Sequence, residues 1–329
     1  MKALVRLSDT PKDFALRDVP EPALKDGKIK IRVAYAGICG SDLHIYLGFE
    51  PGLPQGVHGH EFSGVIEAVG AGVEGFAPGE KVTVEHTYAT CGRCAYCRTG
   101  RYQLCSKRNS LGFDIQGAFT EYVVVDPVYV HKLPEGVDLK KGALTEPLAC
   151  IVHAIGLVET KPAMHVLVVG PGPMGLLCGL ALKAYGCKVD ICGAPQDKER
   201  LERAKAAGMN VVEGKDIAPM SYPLVAECSG SGGGIRLAIG ALQKGATLLQ
   251  VGISTEPVTL PYEQMVYKEL KIQGTFCHTW ADWDQALRLE QAGLLDISPV
   301  ITDVVKLEGW KDAFERLIGK EGMKTLIEL

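Results

Sequence analysis

The chain has 329 residues, 47% of them hydrophobic and 22% charged, with a formal net charge of -4. That length exceeds what one hydrophobic core usually serves, so two domains are expected. No basic stripe interrupts the mild acidity, which removes the electrostatic case for a nucleic-acid or anionic-membrane partner.

Residues 2–7 alternate as a strand does, with no long apolar stretch and cleavage site, so no signal peptide is expected. Further short strands are predicted at 28–35, 61–69, 81–84 and 118–125, punctuated by Gly and Pro. Inside this β-rich half, Cys39, Ser41, Asp42 and His44 fall within six residues, and His60-Glu61 follows. A catalytic zinc needs about three N, S or O ligands and one open position. Cys39, His60 and a carboxylate, either Glu61 or Glu146, supply such a set. Zinc on a substrate oxygen lowers the hydroxyl pKa, and Ser41 followed by His44 is a relay that carries the proton to solvent. Asp42 is a candidate to orient the ligating histidine.

Cys91, Cys94, Cys97 and Cys105 form C-x2-C-x2-C-x7-C in a loop rich in Gly, Arg and Tyr. Four thiolates close a tetrahedral zinc site with no water position, which makes this lobe (91–105) a structural site that orders its own loop. The spacing matches neither ferredoxin pattern. Eleven cysteines in a long chain without a targeting signal read as metal ligands where clustered and core residues where scattered, which points to the cytoplasm.

The pattern changes near residue 153. Strands at 166–169, 189–192, 224–228, 247–251 and 270–275 alternate with helices at 173–185, 198–207 and 234–242, which predicts a parallel sheet covered on both faces. The apolar runs at 166–169 and 176–182 are too short or too interrupted to span a bilayer. Between the first strand and helix stands Gly170-Pro171-Gly172-Pro173-Met174-Gly175, a G-x-G-x-x-G loop in the context that makes it a dinucleotide site. The acidic residue that holds ribose hydroxyls at the end of the second strand is missing. Gly193 stands there, Asp190 lies within the strand, and Asp197, Lys198 and Arg200 follow as residues able to meet a ribose or a 2′-phosphate. Both NAD and NADP are therefore expected to work. The tail is predicted as helices at 283–292 and 310–317 with strands at 303–307 and 325–327, returning to the first domain.

Taken together, residues 37–44 and 59–64, the four-cysteine lobe, Thr145-Glu146-Pro147-Leu148, the glycine loop and Lys268-Glu269-Leu270 resemble the zinc-containing medium-chain dehydrogenase/reductase family, nearest its polyol branch. The resemblance implies an α/β chain with a GroES-like, mainly β catalytic domain over 1–152, a Rossmann doubly wound coenzyme domain over 153–284, and a return at 285–329. It implies an active site in the cleft between the domains, with the catalytic zinc on Cys39, His60 and Glu61. It places Glu146 where relatives have a third or alternating ligand. It also implies oxidation of a secondary alcohol, a sugar alcohol or polyol, to a ketone, with a second zinc in the cysteine lobe and a homodimer or homotetramer. A threonine dehydrogenase, using a histidine placed like His86, is the alternative enzyme; a non-catalytic zinc-bearing relative is a third reading, against which the intact open metal site argues.

Overall fold

A computed structural model describes residues 1–254 and 256–329, and the chain divides into two compact units. The first comprises Met1–Glu146, Thr279–Gln291 and Ile301–Leu329; the second comprises Pro147–His278 and Ala292–Val300.

The first unit is built on a seven-stranded sheet. Its path runs Ile301–Lys306, Lys324–Glu328, Ile29–Gly37, Glu61–Val69, Lys81–Val84, Val130–Lys132, and Tyr122–Val125 also pairs with Ile29–Gly37. Two registers matter for the site: Leu326 pairs with Gly37, and Gly37 pairs with Glu61. The carboxy-terminal strand therefore lies beside the strand that leads into the Cys39 segment. Alternation along Ile29–Gly37 turns Ile29, Ile31 and Val33 into the core. There they meet an aromatic cluster in which Tyr46 contacts Phe314 edge-on at 5.3 Å and Trp310 at 6.0 Å. Trp310, Ala313 and Phe314 recur at the spacing that buries one stripe of the helix Trp310–Ile318.

The second unit holds a six-stranded, wholly parallel sheet in the order Asn210–Val211, Lys188–Cys192, His165–Val169, Tyr222–Glu227, Leu242–Gln250, Lys271–Gly274. Counted within the unit this is 3-2-1-4-5-6, the dinucleotide-fold order, with the switch point beside His165–Val169. That strand is buried from Val166 to Val169, as a strand covered on both faces must be. Pro173 opens the helix Pro173–Ala184, where a missing N–H costs nothing.

Some predicted elements shift. The strand expected over 118–125 is confined to Tyr122–Val125, with Thr120 only bridging Ala3. The helix expected from 283 begins at Trp280, because Asp282 Oδ2 accepts from the Thr279 backbone at 2.8 Å and from its hydroxyl at 2.6 Å. No helix among the described residues is long and apolar enough to cross a membrane.

Candidate metal centres and nucleotide loop

Cys39 ends an extended segment and precedes the helix Gly40–Tyr46. Asp42, three residues on, turns its Oδ2 back to accept from the Cys39 backbone N–H at 2.9 Å, which fixes the helix start. The other oxygen, Oδ1, is buried without a hydrogen bond, 3.8 Å from His60 Nδ1, itself buried and unbonded. Asp42 thus primarily caps the helix, and its charge faces the histidine across a gap. Cys39, His60 and Glu61 offer ligand atoms within 4.8 Å of one another. Burial alone lowers the His60 pKa, yet the negative groups Asp42 and Cys39 outweigh it and hold the imidazole up to about 10. A buried pocket this rich in negative charge, with two orphaned polar atoms, fits a divalent cation.

Glu146 is not in that three-residue set. It lies in the first turn of the helix Thr145–Gly156, 5% exposed, with Oε1 3.0 Å from His86 Nδ1. Arg108 Nη1 stands 2.9 Å from His86 Nε2. A guanidinium has only donors, so Nε2 accepts, Nδ1 keeps the proton, and His86 donates it to Glu146. The His86 ring also meets the His60 ring edge-on at 5.6 Å.

Ser41 Oγ is buried without a hydrogen-bond partner. His44 shares its helix face at i+3, and its Nδ1 lies 3.1 Å from Glu50 Oε1, with both side chains about one-third exposed (37% and 36%). No hydrogen bond joins Ser41 to His44. Glu61, fully buried, is instead met by an unexpected residue: Lys324 Nζ donates to both of its oxygens.

In the lobe, the Cys91, Cys94, Cys97 and Cys105 sulfurs lie within 4.8 Å of one another. Backbone N–H groups point at them, Cys94 N to Cys91 Sγ at 3.4 Å and Lys107 N to Cys105 Sγ at 3.4 Å. N–H donors from Arg93 and Cys94 bring the Cys91 thiol down to about 6, as a thiolate ligand needs, whereas burial pushes Cys97 up to about 11. Four sulfurs this close fit a closed zinc site. Tyr102 ties the lobe to the sheet by donating to Glu85 Oε2 at 2.6 Å, while the other Glu85 oxygen meets His131 Nε2 at 3.0 Å.

The glycine loop has the geometry a pyrophosphate requires. Gly170 has φ +99°, a Cβ on Gly175 would overlap the Gly170 carbonyl, and only Arg200 Nη1, at 4.0 Å, stands near where a Gly172 Cβ would be. Asp190 faces away, binding His165 Nε2 at 2.9 Å, Tyr222 OH at 2.6 Å and Asn210 Nδ2 at 2.8 Å. Asp197 Oδ2 accepts from the Ala194 backbone at 2.9 Å and so closes its own turn. Lys198 is exposed. Gly193 is not a bare vacancy: a Cβ there would stand 2.7 Å from Pro171 Cδ and 3.1 Å from Asp197 Cβ. Proline inside the loop occupies the space that a side chain at 193 would enter.

Lys324, Arg108, Glu50 and Pro171 were not singled out by sequence reasoning. Lys324 and Arg108 act through partners remote in sequence and Pro171 through packing, whereas Glu50 lies only six residues from His44, within the same local segment.

Residues 25–135 match the alcohol dehydrogenase GroES-like domain and residues 173–292 the zinc-binding dehydrogenase domain. Sorbitol dehydrogenase of Halalkalibacterium halodurans is 37% identical, covering 99% of each chain. D-arabitol-phosphate dehydrogenase of Enterococcus avium is 32% identical over 100% of this chain and 97% of its own. A Sinorhizobium meliloti protein titled a zinc-binding dehydrogenase, solved with NADP bound, superposes with a TM-score of 0.91 at 26% identity, covering 100% and 99%. The chain belongs to the zinc-binding alcohol dehydrogenase family, oxidoreductases that act on CH–OH groups with zinc and a nicotinamide dinucleotide.

Proposed function

We propose that this enzyme oxidises a secondary hydroxyl of a polyol to a ketone. The observation that carries the reading is the Cys39–His60–Glu61 cluster with the buried, unbonded Ser41 hydroxyl two residues from its cysteine. Its similarity to sorbitol and arabitol-phosphate dehydrogenases supports the substrate class.

Cys39 and His60 would hold the catalytic zinc, with Glu61 as third ligand and Glu146 as its alternate; Cys91, Cys94, Cys97 and Cys105 would hold the structural ion. When bound, zinc would supply Lewis acidity for the substrate hydroxyl and the nicotinamide dinucleotide a hydride acceptor. Ser41 Oγ takes the hydroxyl proton as it gives up its own, and because no hydrogen bond joins it to His44, the proton reaches that imidazole through a bridging hydroxyl or water. Because a carboxylate only accepts, Glu50 keeps the His44 proton on Nδ1 and leaves Nε2 as the base. Gly170, Gly172, Pro173, Met174 and Gly175 seat the pyrophosphate. Gly193, Asp197, Lys198 and Arg200 frame the adenosine ribose, with Lys198 and Arg200 setting the balance between NAD and NADP. The metal chemistry thus belongs to the first unit and the nucleotide to the second.

A second reading, oxidation of a hydroxy-amino acid such as threonine, is favoured by one observation, His86 against the His60 ring. Following reduced nicotinamide by its near-ultraviolet absorbance, with polyols, threonine and both cofactors, decides the matter. Turnover with threonine and none with polyols refutes the leading reading.

The enzyme is also proposed to be a cytoplasmic homo-oligomer. None of the eleven cysteines is in a disulfide, which suits a reducing compartment. The sheet ends on Lys271–Gly274, where Ile272 is exposed, near in sequence to exposed Tyr262, Val266 and Tyr267. A strand at the end of a sheet's order, near exposed apolar side chains, is the kind of surface a second copy covers. Light scattering that reports a monomer refutes this.

A further inference from the structure

A cavity of about 660 Å³ is lined wholly by residues of the first unit, and none of Cys39, Ser41, His44, His60, Glu61 and Glu146 is among them. Its walls are mainly apolar, with Val19, Pro22, Val57, Leu111, Ile115 and Val124 contributing. Packed interiors leave few voids larger than a water molecule, whereas this size and lining are those of a small-molecule site. Among the described lining residues Lys25 and Lys28 are the only charged side chains, and both are cations. Lys28 Nζ donates to Asp126 Oδ2 at 2.9 Å and stands 5.8 Å from the centre of the Tyr88 ring, another lining group. An ammonium has three N–H donors, and the Asp126 bond uses one. Gln116 Oε1 accepts from the Val57 backbone at 2.7 Å, which leaves its amide nitrogen to donate elsewhere.

We infer that this cavity binds an amphipathic carboxylate of the medium-chain fatty-acid type, its tail against the apolar walls and its head against Lys25 and Lys28. Donors around an apolar space are complemented by an acceptor carried on an apolar body. The charge count selects the head group. Two lysines and the Asp126 carboxylate sum to a single positive charge, which a monoanion neutralises and a phosphate dianion exceeds. A carboxylate there accepts charge-assisted hydrogen bonds, about twice as strong as neutral ones. The tail gains by leaving water, about 0.8 kcal/mol for each methylene buried. The site is separate from the alcohol chemistry and does not depend on which alcohol the enzyme oxidises.

The test is calorimetric titration of the full-length, zinc-loaded protein with decanoate, kept below micelle formation. One decanoate per chain is expected, with decanol about tenfold or more weaker, the worth of one charge-assisted hydrogen bond. Replacing both lysines, Lys25→Gln with Lys28→Gln, should bring decanoate down to decanol and leave decanol unchanged. Val124→Trp, which fills the cavity, should weaken both ligands about tenfold or more. Should Val124→Trp not fold, Ala23→Trp, at an exposed lining position, takes its place. A folded Cys39→Ser should bind decanoate as the parent does. No saturable binding, decanol as tight as decanoate, or parental binding by a folded cavity-filled variant overturns the inference. Loss of binding in a folded Cys39→Ser overturns it too, since the carboxylate would then sit on the metal centre. If the cavity-filling change turns an oligomer into a monomer in light scattering, the cavity is a contact between copies and the inference falls.

Discussion

Aspartate at position 193 is the obvious substitution for creating an NAD-selective site, and the structure says that alone it will not do so. Its Cβ would lie 2.7 Å from Pro171 Cδ and 2.8 Å from Pro171 Cγ, both in a rigid ring. Pro171 sits between Gly170 and Gly172, so relief of the overlap moves the backbone that receives the pyrophosphate. Overpacking of this kind costs about 1–3 kcal/mol. With the backbone displaced, the carboxylate keeps one good hydrogen bond from the ribose hydroxyls, a return of about 1.5–3 kcal/mol at best. Cost and gain roughly offset one another, so Gly193→Asp should leave NAD affinity near parental while lowering the thermal midpoint and weakening NADP. Adding Pro171→Ala removes both close atoms and keeps the gain. The double variant should then bind NAD about tenfold or more tightly than Gly193→Asp, a difference of about 1.4 kcal/mol. Calorimetric titration with each dinucleotide, beside thermal unfolding, reads all of this. If Gly193→Asp binds NAD as tightly as the double variant with an unchanged midpoint, Pro171 does not wall off the ribose position and the reasoning is wrong.

Gently purified protein should contain about two zinc ions per chain, and Cys94→Ser should lose one together with stability; elemental analysis near one for the parent would mean that a site is misread. Ser41→Ala should lose about 10²–10⁴-fold in turnover, whereas His44→Ala should be partly rescued at alkaline pH, where hydroxide takes the proton. A Ser41→Ala enzyme as fast as the parent would show that the substrate proton leaves by another route. Asp190→Ala strands the buried Tyr222 hydroxyl and removes two further bonds that water can replace, a loss of about 2–4 kcal/mol. Burial raises the Asp190 carboxyl, but hydrogen bonds from Tyr222, Asn210 and His165 prevail and hold it below the usual range. Its folded pKa being depressed, its contribution is complete above the unfolded value of about 3.9 and fades as pH falls through the folded one. Denaturant midpoints for parent and variant should therefore differ constantly from neutral to mildly acidic pH and converge only in strong acid; convergence near pH 6 would refute the network.

The parts of this enzyme that show in its sequence are those whose meaning is local. Four cysteines within fifteen residues and a glycine loop between an apolar strand and a helix need no partner to be recognised. The strand Glu61–Val69 is legible because alternation and flanking glycines bound it. The helix Gly40–Tyr46 is too short to show a period, and its only signal was Asp42 three residues after Cys39. Pairings across sheets leave no such trace. Lys324 and Glu61 are 263 positions apart, and nothing near either announces the other. Arg108, His86 and Glu146 form a chain of contacts only after the lobe has folded back. Gly193 looked like an absent acid because Pro171, its neighbour in space, lies on the preceding strand's loop.

The order in which the ribosome releases this chain matters for the first unit. Most of the second unit, Pro147–His278, is one continuous stretch and can close while synthesis continues. The first unit cannot. Its sheet receives Lys324–Glu328 only after the second unit's residues have been made, and until then the Tyr35–Gly37 end of its strand lacks that partner and Glu61 its counter-ion. A nascent chain therefore carries Cys39, His60 and the four lobe cysteines on an unfinished scaffold until the strand Lys324–Glu328 docks. Loss of the strand Lys324–Glu328 would therefore reach the metal ligands as directly as a mutation among them.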